Sequence, residues 1–187
     1  MTHTLLPILL LTCVAFLILE RLGLPTTLSL NFKGDVKRET RWLAQYGQFV
    51  CTAVAAGLVW QLDPLNRKLV IAIICAVLAS SILAMFLKRI LGRVRPGRQG
   101  AGTFTGPSWR HANFRESFPS SHSACAFALS AMLAHAYPPA AIVFWALAIA
   151  CAALRYILDA HWPSDVLGGI ALGYGVAQIT WMAMMQT

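Results

Sequence analysis

Long apolar runs, each about as long as a membrane span, occupy most of this chain of 187 residues. A helix needs about 20 mainly apolar residues to cross the hydrocarbon core of a bilayer. With 58% hydrophobic and 12% charged residues, the chain has room for about six crossings and none for a separate soluble domain. We therefore predict an all-α, polytopic membrane protein with one bundle and one domain over residues 1–187. The predicted transmembrane helices cover residues 5–24, 42–62, 69–87, 119–137, 140–158 and 163–185.

The basic character of the chain, a formal net charge of +8 at pH 7, narrows the class of partner. A soluble basic face would favour nucleic acid, but a chain made mostly of apolar runs has none to present. Basic residues beside membrane spans more often meet lipid headgroups or anionic substrates. The five cysteines fall inside apolar runs without metal-ligand spacing, which is typical of small buried hydrophobes. We predict the lipid bilayer and an anionic lipid as partners, and no nucleic acid.

Three polar groups interrupt the apolar pattern at the ends of predicted spans. Residues 88–96 close the third run, residues 119–122 open the fourth, and residues 155–165 lie between the fifth and the sixth. If consecutive runs cross the membrane in alternating directions, all three groups lie at one membrane surface. Ionisable residues near a bilayer are energetically unfavourable and tend to mark function. We therefore expect these groups to form one site.

The group Pro119-Ser-Ser-His122 is suited to binding an anion. Proline favours the first position of a helix, and the residues after it expose free N–H groups at the positive end of the helix dipole. Ser120 and Ser121 add hydroxyl donors, and His122 adds a group that can transfer a proton. The alternative interpretation is an ordinary capped helix start.

His161 lies four residues before Asp165. At that spacing the carboxylate can hold one ring nitrogen, fix the tautomer and leave the other nitrogen free to attack. Asp165 alone would also suit a simple helix cap. One to two turns earlier, Arg155 adds a cation, which Asp159 is spaced to pair with at i,i+4.

Lys88 and Arg95 are seven residues apart and share a helix face if the third helix extends that far. Pro96 disfavours helix at Arg95 and ends the element. Arginine binds phosphate oxygens through a planar fork, whereas lysine acts as a point charge. The alternative is a positive cluster at a membrane edge. Combined with a histidine nucleophile and a histidine acid, however, these cations supply what phosphate ester chemistry needs.

The three groups occur in the order Lys-x6-Arg-Pro, Pro-Ser-Ser-His and Arg-x5-His-x3-Asp. This set resembles the three-part signature of the type 2 phosphatidic acid phosphatase (PAP2) superfamily, in its bacterial membrane forms. Two positions depart from the pattern. Ser121 stands where the second motif usually has glycine, and Leu154 stands where the third usually has serine. Neither departure removes a charged catalytic group.

The resemblance implies a role for each matching residue. His161 corresponds to the nucleophile that forms a phosphohistidine, Asp165 to its orienting partner, and His122 to the general acid. The implied phosphate-binding residues are Lys88, Arg95, Ser120 and Arg155, with Ser121 giving its backbone N–H. The family also implies a metal-independent reaction without a cofactor. The sequence agrees, since it offers no carboxylate cluster for Mg²⁺.

The implied function is hydrolysis of a membrane lipid phosphomonoester or diphosphate. A polyprenyl diphosphate or a glycerophospholipid phosphate comes first, because the short chain resembles bacterial forms. Three alternatives share parts of the pattern: a lipid phosphotransferase, a non-enzymatic binder or transporter of anionic lipids, and a vanadium haloperoxidase. The apolar spans argue against the last, since haloperoxidases resemble soluble proteins.

The location predicted by the resemblance is the bacterial inner membrane. The positive-inside rule would place the site in the cytoplasm, because most basic residues of the links fall on its side. Several of those cations serve substrate binding in the implied site and so distort the count. We predict a site that faces outward. No role is predicted for the 31–41 link or the 97–118 loop.

Overall fold

A computed structural model of the protein describes residues 2–28, 30 and 33–186. In these residues it contains seven α-helices and no β-strand, apart from an isolated bridge between Arg93 and Phe104. The predicted all-α class is confirmed. The helices are α1 (Thr2–Arg21), α2 (Gly34–Leu43), α3 (Phe49–Leu62), α4 (Arg67–Leu91), α5 (Ser121–Ala136), α6 (Ala141–Ile157) and α7 (Pro163–Met185).

Four segments of the described chain are long and apolar enough to cross a membrane: Thr4–Arg21, Pro64–Leu91, Pro138–Ile157 and Pro163–Met185. These segments confirm a helical membrane protein. Helices α3 and α5 have 14 and 16 residues, which at about 1.5 Å per residue fall short of the roughly 30 Å hydrocarbon core. Six spans are therefore not confirmed, and crossing by α3 and α5 stays a prediction.

Helix α5 lies at the centre of the bundle. Every residue from Ser123 to Leu133 is buried, and the helix packs against α4, α6 and α7. Its sequence explains this position, because alanine and serine dominate it. In a lipid environment, helices associate through close packing of small residues rather than through hydrophobic exclusion from water.

Two glycines bring α7 into backbone contact with α5. A Cβ at Gly169 would collide with the carbonyl oxygen of Ser120, and one at Gly173 would collide with that of Ala124. The amide of Ser120 donates to the carbonyl of Asp165 at 2.9 Å. The starts of α5 and α7, which carry two of the three motifs, are thus joined directly.

The two ends of the bundle differ in chemistry. At one end, α4 and α6 finish and α5 and α7 begin, so the three polar groups meet as the alternating arrangement predicts. At the other end, the Tyr137 hydroxyl donates to Asp63 Oδ2 at 2.9 Å and joins the ends of α5 and α3. The site is therefore confined to one surface of the bundle.

The condition under which Lys88 and Arg95 would share a helix face is not met. Helix α4 ends at Leu91 because Gly92 turns the chain with φ of 61°. The following loop is ordered by its backbone. Val94 donates to the Thr103 carbonyl and accepts from Gly102, forming a hairpin, and the Arg95 amide donates to Phe114 at 2.8 Å. The loop, rather than the helix, positions Arg95.

The α5–α7 contact can be tested at Gly173. We expect Gly173→Ala to destabilise the protein by about 1–3 kcal/mol, because the added methyl group forces the two backbones apart. Gly57→Ala is the matched control, since a Cβ there meets nothing within 4 Å and alanine is the better helix former. Thermal unfolding in detergent measures both. Equal stability of the two variants would contradict close backbone packing.

Candidate active site

His161 and Asp165 face each other at the start of α7. Asp165 is the third residue of that helix, and its Oδ2 accepts from the Trp162 amide at 2.9 Å. The His161 Nδ1 lies 3.6 Å from the same oxygen, which is longer than a hydrogen bond, and has no hydrogen-bond partner. Its Nε2 lies 3.4 Å from Arg95 Nη1. One nitrogen thus faces a carboxylate and the other faces a cation.

Asp165 is held by more groups than the sequence indicated. Arg93 Nη1 donates to Asp165 Oδ1 at 2.6 Å, and the Ser117 hydroxyl donates to Oδ2. Both side chains are buried and lie in the segment between α4 and α5. Sequence reasoning missed Arg93. It lies two residues before Arg95, and in the sequence it looks like an ordinary basic residue at the membrane edge. Only its burial against Asp165 reveals its role.

Lys88 and Arg95 meet at the same loop carbonyl. Lys88 Nζ donates to the carbonyl of Glu116 at 2.7 Å, and Arg95 Nη2 donates to it at 3.3 Å. Arg95 also donates to the carbonyls of Asn113 and Ala160, both at 2.7 Å. Three of its five N–H groups therefore position the loop and the turn before His161. Of the remaining two, the N–H on Nη1 faces His161 Nε2, and the one on Nη2 is available to an anion.

His122 lies in the first turn of α5. Its Nε2 is 3.3 Å from Gln48 Nε2. Gln48, like Arg93, is therefore a residue beside the candidate site that the sequence did not reveal. Ser120 is the N-cap of α5 and accepts from the Ser123 amide at 3.4 Å and its hydroxyl at 2.9 Å. Helix α5 therefore starts at Ser121, two residues later than predicted from Pro119. Ser121 and His122 are half-buried, whereas Ser120 and Ser123 on either side are fully buried.

Arg155 completes the set from the last turn of α6. Its Nε is buried without a hydrogen-bond partner. The predicted pair with Asp159 does not form, because Asp159 turns away in a left-handed conformation with φ of 55° after the helix ends. The positive charges of Lys88, Arg95 and Arg155 act on one another and on His122. A bound phosphate would relieve that repulsion.

The surroundings of His161 keep it neutral. Burial, reinforced by the charges of Lys88 and Arg95, lowers the pKa of His161 to about 3 against the opposing effect of Asp165. Burial also lowers the pKa of Arg95. A neutral imidazole carries the free lone pair that a nucleophile needs. The arrangement can therefore bind an anion and attack it.

The described residues around His161 do not form a recognisable metal-binding site. In residues 2–28, 30 and 33–186, no three His, Cys, Asp or Glu side chains are grouped so that they would hold an ion. The charge that a metal would bring to phosphoryl transfer is available from Lys88, Arg95 and Arg155. Metal independence stays a prediction.

The sequence that carries these groups matches a known protein family. The sequence model of the PAP2 superfamily matches residues 69–187, which contain all three motifs. The chain belongs to the PAP2 superfamily. The lipid A 1-phosphatase of Rhizobium etli is 43% identical over 100 residues, which make up 52% of this chain and 42% of that protein.

Two further proteins extend the comparison. The putative undecaprenyl-diphosphatase YbjG of Escherichia coli K12 is 32% identical over 124 residues, or 64% of this chain and 60% of that protein. The crystal structure of Aquifex aeolicus LpxE superposes with a TM-score of 0.65 at 19% identity, covering 81% of this chain and 88% of that one. The superposition shows that this chain and LpxE share a fold. The chain spans about two fifths of the lipid A 1-phosphatase that it matches.

The low pKa of His161 predicts how stability depends on pH. Below its ordinary pKa of 6.5 the unfolded chain protonates this histidine, whereas the folded protein does not until about pH 3. Folding stability therefore falls with pH in this window, and by pH 5 the loss relative to pH 7 should be about 2 kcal/mol. We expect His161→Gln to lose less stability than the parent between these two pH values. Thermal unfolding checks this, and parallel curves would contradict it.

Proposed function

We propose that this PAP2 protein is a lipid phosphate phosphatase that works through a phosphohistidine at His161. One observation carries the proposal. His161 presents Nδ1 to Asp165 and Nε2 to the guanidinium of Arg95, which is the orientation of a nucleophile that must attack an anion. A non-enzymatic binder would need the cations but not this oriented neutral imidazole.

The reaction follows from the positions of the groups. Lys88, Arg95, Arg155 and the start of α5 hold the phosphate, as phosphoryl transfer requires neutralised equatorial oxygens and in-line positioning. His161 Nε2 attacks phosphorus as the bond to the lipid oxygen breaks, and His122 gives that oxygen a proton. His122 then takes a proton from water, which attacks the phosphohistidine and releases phosphate. His161 returns to its neutral form.

The substrate is proposed to be a lipid because the site adjoins apolar surfaces. An apolar groove of about 290 Å³ runs between α3 and α4, lined by Phe49, Thr52, Ile74 and Val77 among others. One of its lining residues, Phe49, follows Gln48 in the chain, and Gln48 contacts His122. A lipid tail can lie there with its phosphate at the cations. Among membrane lipids, the names of the relatives favour a lipid A phosphate or undecaprenyl diphosphate as the substrate.

Phosphate release in detergent from a panel of lipids tests the function directly. The panel is phosphatidate, phosphatidylglycerophosphate, undecaprenyl diphosphate and a lipid A phosphate, with His161→Ala as the inactive control. Free phosphate supports a hydrolase. Phosphate recovered on a second lipid would instead identify a phosphotransferase, and binding of all four lipids without turnover would overturn enzymatic function.

The proposed location is the bacterial inner membrane, with the site facing outward. Helix α7 begins at the site and runs away from it, so a reporter fused after Thr187 would lie inside if α7 crosses. We expect a fluorescent protein at that point to fluoresce and an alkaline phosphatase there to be inactive. A phosphatase fused after Gly106, in the loop beside the site, should show the opposite. A reversed pattern would place the site in the cytoplasm.

The two histidines should differ in how they depend on the leaving group. A general acid matters most when the departing oxygen is a poor leaving group. We expect His122→Ala to lose far more kcat/KM on a lipid monophosphate than on p-nitrophenyl phosphate, with a lipid diphosphate between them. His161→Ala should lose all three about equally. Equal losses for His122→Ala on all substrates would mean that His122 binds phosphate and donates no proton.

Inhibition should distinguish a cation-only site from a metal site. We expect vanadate to inhibit competitively, since Lys88, Arg95 and Arg155 would hold it as they hold phosphate. EDTA should leave kcat unchanged. Activity that disappears in EDTA and returns with Mg²⁺ would refute the metal-free mechanism.

A further inference from the structure

A buried charge cluster, formed by Glu20, Arg93 and Asp165, lies behind the catalytic histidine. Arg93 bridges the two carboxylates, with Nη2 2.7 Å from Glu20 Oε2 and Nη1 2.6 Å from Asp165 Oδ1. Ser164 joins both ends, because its hydroxyl accepts from Arg93 at 2.6 Å and donates to Glu20 at 2.5 Å. The Ser164 amide also donates to Glu20 Oε1 at 3.1 Å. The cluster thus connects the end of α1 to the start of α7.

Burial makes the charge of this cluster effective. The side chains of Glu20 and Arg93 are each 2% exposed and that of Asp165 is fully buried. The rings of Phe104 and Trp162 flank the guanidinium, each with its centroid 5.3 Å from the Arg93 carbon. Salt and water screen such a cluster far less than they screen a surface pair. Asp165 is the member of the cluster that acts directly on His161.

The net charge of the cluster depends on Glu20. Arg93 and Asp165 alone would cancel, which would leave no net negative charge behind His161. Glu20 adds a second carboxylate and brings the cluster to a net charge of −1. We propose that Glu20 is a positioning residue for the reaction: it offsets Arg93, so that Asp165 retains its electrostatic effect on His161. This inference rests on the phosphohistidine step proposed above.

The chemistry defines which step should respond. When His161 Nε2 bonds to phosphorus, the ester bond breaks and its electron pair leaves with the oxygen, which takes a proton from His122. The imidazole, still protonated at Nδ1, then carries a positive charge. When water later attacks phosphorus, the ring recovers its electron pair and becomes neutral. A negative cluster therefore favours formation of the phosphoenzyme and does not favour its breakdown.

Other charged groups near the cluster are unchanged by the test. Lys88 and Arg95 act on His161 from the phosphate side. Cys13 of α1 faces the cluster, and its thiol donates to the Ser164 carbonyl at 3.3 Å. These residues stay in every variant below, so a difference between variants reports on Glu20 and Arg93.

The test follows both steps with p-nitrophenyl phosphate labelled at phosphorus, on the purified full chain in detergent. The burst of nitrophenolate measures formation, and label retained on the protein after alkaline quenching measures the phosphohistidine. We expect Glu20→Gln to slow formation about tenfold and to reduce retained label accordingly. Breakdown should be no slower than in the parent. Glu20→Asp, which keeps the charge, should recover most of the formation rate.

A double variant separates charge from structure. Glu20→Gln with Arg93→Gln leaves Asp165 as the single charge and returns the cluster to −1, without an unpaired buried guanidinium. We expect it to form the phosphoenzyme faster than Glu20→Gln alone, although it lacks more of the native contacts. If Glu20→Gln by itself fails to fold, the double variant can be compared with the parent instead. Arg21→Gln, which removes a neighbouring exposed charge outside the cluster, is the matched control.

The outcomes are distinct. Slower formation in Glu20→Gln with recovery in the double variant, and unchanged competitive inhibition by inorganic phosphate, supports the inference. Equal slowing of formation and breakdown, or a double variant no faster than Glu20→Gln, overturns it and reduces Glu20 to a tether. A parent enzyme that turns over without retaining label overturns the phosphohistidine step, and with it this inference. That failure appears in the parent, whereas failure of the inference alone appears only in the variants.

Discussion

The carboxylate of Asp165 is the point on which the architecture of the site depends. It is fully buried, and a buried charge is tolerated only when it is paired and hydrogen-bonded. Asp165 meets that requirement through Arg93, Ser117 and the Trp162 amide. Arg93 and Ser117 come from the two ends of the loop between α4 and α5, and Trp162 comes from the turn before α7. Satisfying one charge therefore brings that loop and that turn together. The geometry of the candidate active site follows from that convergence.

Close packing of backbones is the second condition. Gly169 and Gly173 let α7 approach the start of α5 until the Ser120 amide reaches the Asp165 carbonyl. Without this close approach, the helix starts that carry His122 and His161 would lie farther apart. Small residues are the usual means of close approach between helices in lipid. Small residues on both helices, alanine and serine on α5 and glycine on α7, therefore set the distance between the two helix starts that carry the motifs.

The cations show how one residue can have two tasks. Arg95 and Lys88 hold the carbonyl of Glu116 and thereby order the long loop. Arg95 also reaches His161 and the carbonyl before it. Arg155, by contrast, keeps a buried Nε without a partner. The three cations thus differ in how many of their donors the protein already uses, which a count of positive charges cannot reveal.

The sequence by itself determined the membrane class, the apolar runs that become helices, and the three motifs with their order. Those properties depend on local composition and on spacing of a few residues, such as His161 and Asp165. Tertiary structure alone decided that Arg95 leaves the face of Lys88, because Gly92 ends α4. It also decided that Glu20 and Arg93 stand behind Asp165, and that Gln48 adjoins His122. Contacts between residues far apart in sequence have no local pattern, so burial and distance were needed to find them.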